Sequence, residues 1–130
     1  MPAGEAFSAR QSDRIDRAVR QAHEESGLSF SVFVGDLGAD ARPAARGLHA
    51  SLGDRADTSV LVAVDPGARR LEVVTGSVAH RALDDRSCAL AALTMTSQFA
   101  MGDLPGGIVN GLRTLAEHAR HPRTLHLDQP

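Results

Sequence analysis

The sequence has no lysine, no tryptophan and no tyrosine, and only four phenylalanines among its 130 residues. So few rings leave little on which to stack bases, which argues against single-stranded nucleic acid as a partner. Charge argues the same way. The fourteen basic residues, all arginine, are outnumbered by sixteen Asp and Glu, for a net charge of −2. A phosphate backbone calls instead for a concentrated positive face. The lone Cys88 cannot form an internal disulfide, and its apolar helical setting reads as a small buried hydrophobe, not a reactive thiol. No apolar run approaches the ~18 residues of a membrane span. Residues Met1 to Arg10 lack the basic-then-apolar layout of a signal peptide. These absences predict a cytoplasmic chain with no membrane span and no nucleic-acid partner.

What is present is ordinary for a globular protein: 42% hydrophobic and 23% charged residues, with a core to be built from Val, Leu, Ile and Ala. The length fits one domain, expected over residues 9–121, between a flexible N-terminus (1–8) and a polar tail (122–130). Ser8 and Gln11 fit a capping box, and Ile15, Ala18, Val19 and Ala22 recur at helical spacing as far as a stop at Gly27. The alternation of Phe30, Val32 and Val34 marks a strand over 29–34. A helix is expected near Pro43, followed by an acidic turn-like loop over Gly53 to Asp57. Ser59 to Val64 and Leu71 to Thr75 flank Asp65-Pro66-Gly67, the chemistry of a hairpin. Helices over 85–100 and 104–120 complete the order, with Leu93, Phe99, Leu112 and Leu115 assigned to the core. The predicted fold class is α/β: a small mixed β-sheet with a β-hairpin, flanked by helices on both faces.

Three passages together resemble a known family: Glu25-Ser26-Gly27 leading into Phe30 to Val34; the hairpin Ser59 to Gly76 with its Val-Thr-Gly ending; and Phe99-Ala100-Met101-Gly102-Asp103 before a helix carrying Gly107 and Gly111. In order, they are similar to the TPM domain, named after thylakoid, photosystem and nematode receptor-associated proteins. The likeness is strongest to a short, uncharacterised actinobacterial branch. The resemblance implies an α/β sandwich, and for some relatives acid phosphatase activity and divalent-metal binding. The chain departs from the family where Val-Thr-Gly is commonly followed by Gly and Glu and then Leu-Pro-Asp. Here stand Val78, His80 and Leu83-Asp84-Asp85, with Asp85 keeping the acidic position.

The candidate chemistry is acidic. An antiparallel hairpin brings the loop before its first strand beside the loop after its second. Asp54 and Asp57 therefore approach Gly76, with Asp85 close behind and His80 at the rim. Asp103 joins them through the family's Gly-Asp position. Such carboxylates suit Ca²⁺ or Mg²⁺, while helix caps and turns remain the competing role for each. Asp36 and Asp65 adjoin turns at the opposite edge, and His118, His121 and His126 fall at a helix end and tail. Two functions stay open: a non-catalytic binding or regulatory module with an unknown protein partner, or a weak divalent-metal-dependent acid phosphatase.

Overall fold

The computed structural model describes residues 7–120; the expectations for residues 1–6 and for the tail, with His121 and His126, lie outside them. The chain runs α1 (Ala9–Ser26), β1 (Ser29–Val34), α2 (Ala41–Ala50), a 3₁₀ helix (Gly53–Thr58), β2 (Ser59–Asp65), β3 (Arg70–Thr75), a one-turn α3 (Ala79–Ala82), α4 (Asp85–Ala100) and α5 (Leu104–Arg120). The ends of these elements follow from local chemistry. Ser8 and Gln11 close a reciprocal capping box on α1, and Gly27 ends the helix in the left-handed region at φ 79°. Asp84 caps α4 by accepting from the Ser87 N–H at 2.9 Å. Two elements correct the sequence reading. The acidic loop over 53–57 is a 3₁₀ helix, closed by Ser59 Oγ donating to the Arg55 carbonyl, and α3 was not foreseen.

The sheet order is β1-β2-β3. β1 pairs parallel with β2, with Val32 opposite Val62, and β3 pairs antiparallel with β2, with Val73 opposite Val62. Every residue of β2 is buried, as expected of a strand covered on both faces. On one face Phe30, Val60, Val62 and Val64 pack with Ile15, Ala18, Met95, Ile108, Leu112 and Leu115 from α1, α4 and α5. On the other, Leu61, Ala63 and Val74 meet Leu37, Ala41 and Ala45. Helices thus cover both faces of a mixed sheet. Of the expected core, Val19, Val32, Val73 and Phe99 are only partly buried, and Leu93 is 65% exposed. α4 buries Ser87, Ala91 and Met95 instead. Its apolar residues lie on two faces, so periodicity alone selected the wrong one.

Three glycines decide how closely these layers approach. The Gly76 N–H donates to the Ser59 carbonyl at 2.9 Å, and the Val78 N–H to the Asp57 carbonyl at 2.9 Å. The exit of β3 therefore lies directly on the 3₁₀ helix, and a Cβ at position 76 would strike the Ala56 carbonyl and the Asp57 backbone. On α5, a Cβ at Gly107 would meet the Phe99 ring, and one at Gly111 the Met95 side chain. The opposite case is Arg69, a non-glycine residue at φ 55°, in a region that side chains make costly. Gly76→Ala should cost about 3 kcal/mol in urea unfolding, because backbone cannot give way. Gly111→Ala should cost less, since a thioether chain can shift. Arg69→Gly should stabilise by about 1 kcal/mol as the strain is released.

Candidate functional site

At the end of the sheet where β2 starts and β3 finishes, the crossing at Gly76 gathers hydroxyl, imidazole and carboxylate groups. Ser77 Oγ donates to Asp57 Oδ1 at 3.2 Å. Thr75 Oγ1 and His80 Nδ1 are 3.2 Å apart, and His80 Nε2 lies 4.0 Å from Asp85 Oδ1. The sequence of hydroxyl, imidazole and carboxylate resembles a nucleophile with its base and orienting acid. However, 4.0 Å is the outer limit of an ion pair, and the Asp85 side chain is 99% exposed. A solvated pair of this kind holds an imidazole only loosely. Asp54 is exposed in the 3₁₀ helix.

The four expected carboxylates do not form one site. Among the described residues, no three His, Cys, Asp or Glu side chains come together as metal ligands. Asp103 is the clearest correction. It lies beyond the far end of the sixteen-residue α4 from Asp85, and such a helix is about 24 Å long. Its own partners hold it there: Oδ2 accepts from Gln98 Nε2 at 3.0 Å and Oδ1 from the Gly106 N–H at 3.0 Å. The Gln98 bond, and then the Gly106 N–H, keep its carboxyl below the usual aspartate value.

The opposite end of the sheet belongs to the hairpin turn. The buried Asp65 uses Oδ2 to accept from the Leu37 N–H at 3.0 Å and Oδ1 from the Ala68 N–H at 3.1 Å. These bonds, Leu37 foremost, lower its pKa and fasten the β1 exit loop to the hairpin. Asp36 accepts from the Gly38 N–H at 2.7 Å in a local turn. Turn stabilisation is thus the observed role of both. Beside them Asp65, Arg69, Arg70 and Leu71 border a recess of about 400 Å³, completed by Thr96, Phe99 and Leu104. The sequence reading missed this recess, although the Arg69-Arg70 pair at a turn was visible. The His49 ring is buried, and its Nε2–H donates to the Ser59 carbonyl at 3.0 Å, tying α2 to β2.

These features define a class: a three-stranded mixed α/β sandwich with polar clusters at both sheet ends. More particularly, the family described as Domain of unknown function (DUF5130) matches residues 1–116, and the chain belongs to it. An uncharacterised protein of Mycobacterium tuberculosis, found in strains CDC 1551 and H37Rv, is 28% identical over 102 residues. That match covers 78% of this chain and 60% of the relative, so the chain spans about 60% of the length of the curated relatives it matches. The NMR structure of BA42 protein from the psychrophilic bacterium Bizionia argentinensis superposes with a TM-score of 0.79 at 16% identity. It covers 90% of this chain and 83% of that one, and it shares the fold. No described helix is long and apolar enough to cross a membrane.

Cys88 sits at the start of α4, near the polar end of the sheet. Burial first, and then the charges of Asp85 and Asp84, push its thiol up to about 11 from an ordinary 9.0. The thiolate is the reactive form. At pH 8 the folded protein should therefore react with a disulfide reagent roughly a hundredfold more slowly than the urea-unfolded chain. Equal rates would show an open, ionised thiol. The sign for stability follows: the unfolded thiol ionises first, so stability is lost as the pH rises from about 9 toward 11.

Proposed function

We propose that the chain is a TPM-like binding module with no chemistry of its own, working through the outer face of α4. One observation carries this reading. From Ser87 to Gly102 no residue is charged, and Leu90, Leu93 and Met101 are 44%, 65% and 84% exposed. The hydroxyls on this helix are turned inward chemically. Thr94 donates to the Leu90 carbonyl at 3.1 Å, and Thr96 and Ser97 donate to the Leu93 carbonyl at 3.0 Å. The face therefore offers water less than its composition suggests, and a cluster of exposed apolar side chains marks a contact surface.

The occupant we assign is a second copy of the chain. An uncharged face excludes a charged partner, whose groups would lose water without gaining a counter-charge. The outer faces of the other long helices bear charge: Arg10, Asp13, Arg17, Arg20 and Glu24 on α1, and Arg113 and Glu117 on α5. Pairing the α4 face with itself around a two-fold axis centred on Leu93 to Met101 brings together only uncharged residues, with the exposed Arg86, one turn before Leu90, left at the edge. A helix about 24 Å long gives a contact at the small end of specific interfaces, so association should be weak.

In sedimentation velocity, the protein should pass reversibly from monomer to dimer, with Kd on the order of micromolar to hundreds of micromolar. Leu93→Glu should abolish the dimer and leave the melting temperature nearly unchanged, because Leu93 is exposed. A protein monomeric throughout that range, or a dimer indifferent to Leu93→Glu, overturns the assignment. The alternative function, a divalent-metal-dependent acid phosphatase, draws on the Asp57, Ser77, Thr75 and His80 cluster with Ca²⁺ or Mg²⁺. We expect negligible hydrolysis of an aryl phosphate from acidic to neutral pH, with or without either cation. A robust cation-dependent rate lost in Asp57→Asn would replace the binding module with that enzyme.

A further inference from the structure

The recess at the hairpin turn has a composition that its fold does not require. Its floor is apolar, with Val64, Leu71, Phe99 and Leu104, and its rim carries Arg69 and Arg70. Neither arginine closes a direct ion pair among the described residues. Asp65 also lines the recess, but both of its carboxylate oxygens accept backbone N–H groups from Leu37 and Ala68. Two guanidiniums against one carboxylate leave a single positive charge at the mouth. The volume of about 400 Å³ falls within the range of small-molecule sites.

Backbone strain points to the same place. Arg69 holds φ 55° at the last turn position before β3. Glycine would adopt that conformation freely, so hairpin formation does not explain a long cationic side chain there. Residues held in such regions tend to mark sites where the side chain is needed. Phe99 reaches the floor because Gly107 on α5 leaves room for its ring. The site thus combines an apolar floor, two arginines of which only Arg70 feels a counter-charge, that of Asp65 opposite it in the hairpin, and a backbone cost at Arg69.

We infer that this recess binds a small monocarboxylate with an apolar body, its acid held by Arg69 and Arg70 and its body lying on Leu71, Phe99 and Leu104. The single net positive charge favours a monoanion. A phosphate monoester would bring a second negative charge beside Asp65. Arginine suits the acid because its fork matches both carboxylate oxygens. The inference stands independently of self-association through α4.

The test is a ¹H–¹⁵N NMR titration of the full chain with 2-naphthoate. Saturable one-to-one binding is expected, with amide shifts centred on residues 69–71, 99 and 104. Uncharged 2-naphthamide and body-less acetate should each bind at least about tenfold more weakly, since each lacks half of the recognition. Arg70→Gln should weaken naphthoate about tenfold. Arg69→Gly should do the same while raising the melting temperature, which separates loss of the site from loss of the fold. Shifts confined to the outer face of α4, or wild-type affinity in Arg69→Gly, overturn the site. Tighter binding of 1-naphthyl phosphate than of 2-naphthoate overturns the carboxylate assignment, and acetate binding as well as naphthoate removes the apolar floor from it.

Discussion

The burial of β2 between two helical layers is the constraint on which everything else depends. All seven of its residues are buried, and its backbone pairs with β1 on one side and β3 on the other. A strand covered on both faces cannot slip by one residue without exchanging the side chains of two cores. Val60, Val62 and Val64 belong to one cluster and Leu61 and Ala63 to the other. Register is therefore fixed twice over. Fixing it determines what stands at each end: Ser59, which receives N–H groups from Gly76 and His49, and Asp65, which receives those of Leu37 and Ala68.

The two ends are built differently. At the Gly76 end, backbone crosses backbone with no room for a Cβ, and the functional groups are pushed outward into water, as the exposure of Asp85 and His80 shows. At the hairpin end, a buried carboxylate draws a loop and a turn together from within. Arg69 and Arg70 are exposed and border a recess with an apolar floor. An exposed cluster has its charges screened and its side chains free. A recess with an apolar floor excludes part of that water, so a charge at its rim counts for more.

What was legible in the sequence was local. Ser8 with Gln11, Gly27, Pro43 in a first turn, Asp84 and the Asp-Pro-Gly hairpin each act within a few residues, and each is found where its chemistry places it. What was not legible depends on a second element. Whether Leu93 or Met95 turns inward is decided by the groove that Gly107 and Gly111 open on α5, not by α4 itself. His49 acquires meaning only when Ser59 is opposite it. The separation of Asp85 from Asp103 is a different kind of failure. A helix over 85–100 was expected, and its length alone keeps the two apart. Only the resemblance to the TPM domain, through its Gly-Asp position, had brought Asp103 toward that edge.

α4 links the two surfaces that the fold leaves unexplained. Thr96, Phe99 and Ala100 line the recess, while Leu90, Leu93 and Met101 form the uncharged outer face. The faces meet around residues 96–101, at the end of the helix nearest the hairpin. A ligand on Phe99 and Leu104 would lie beside the edge of a copy docked on Leu93 and Met101. Two sites sharing one helix end are coupled whenever occupation of one changes the packing or freedom of the other, and that coupling is reciprocal. The sign depends on Phe99. Held more firmly between Gly107 and a bound body, its ring would stiffen the last turn of α4 and favour docking. Displaced outward, it would enter the space the second copy needs. Because the ring already lies against Gly107, a body bound in the recess would hold it where it is, and fixation is the outcome this packing favours. The sharing of α4 therefore favours ligand and second copy binding together over their exclusion of each other.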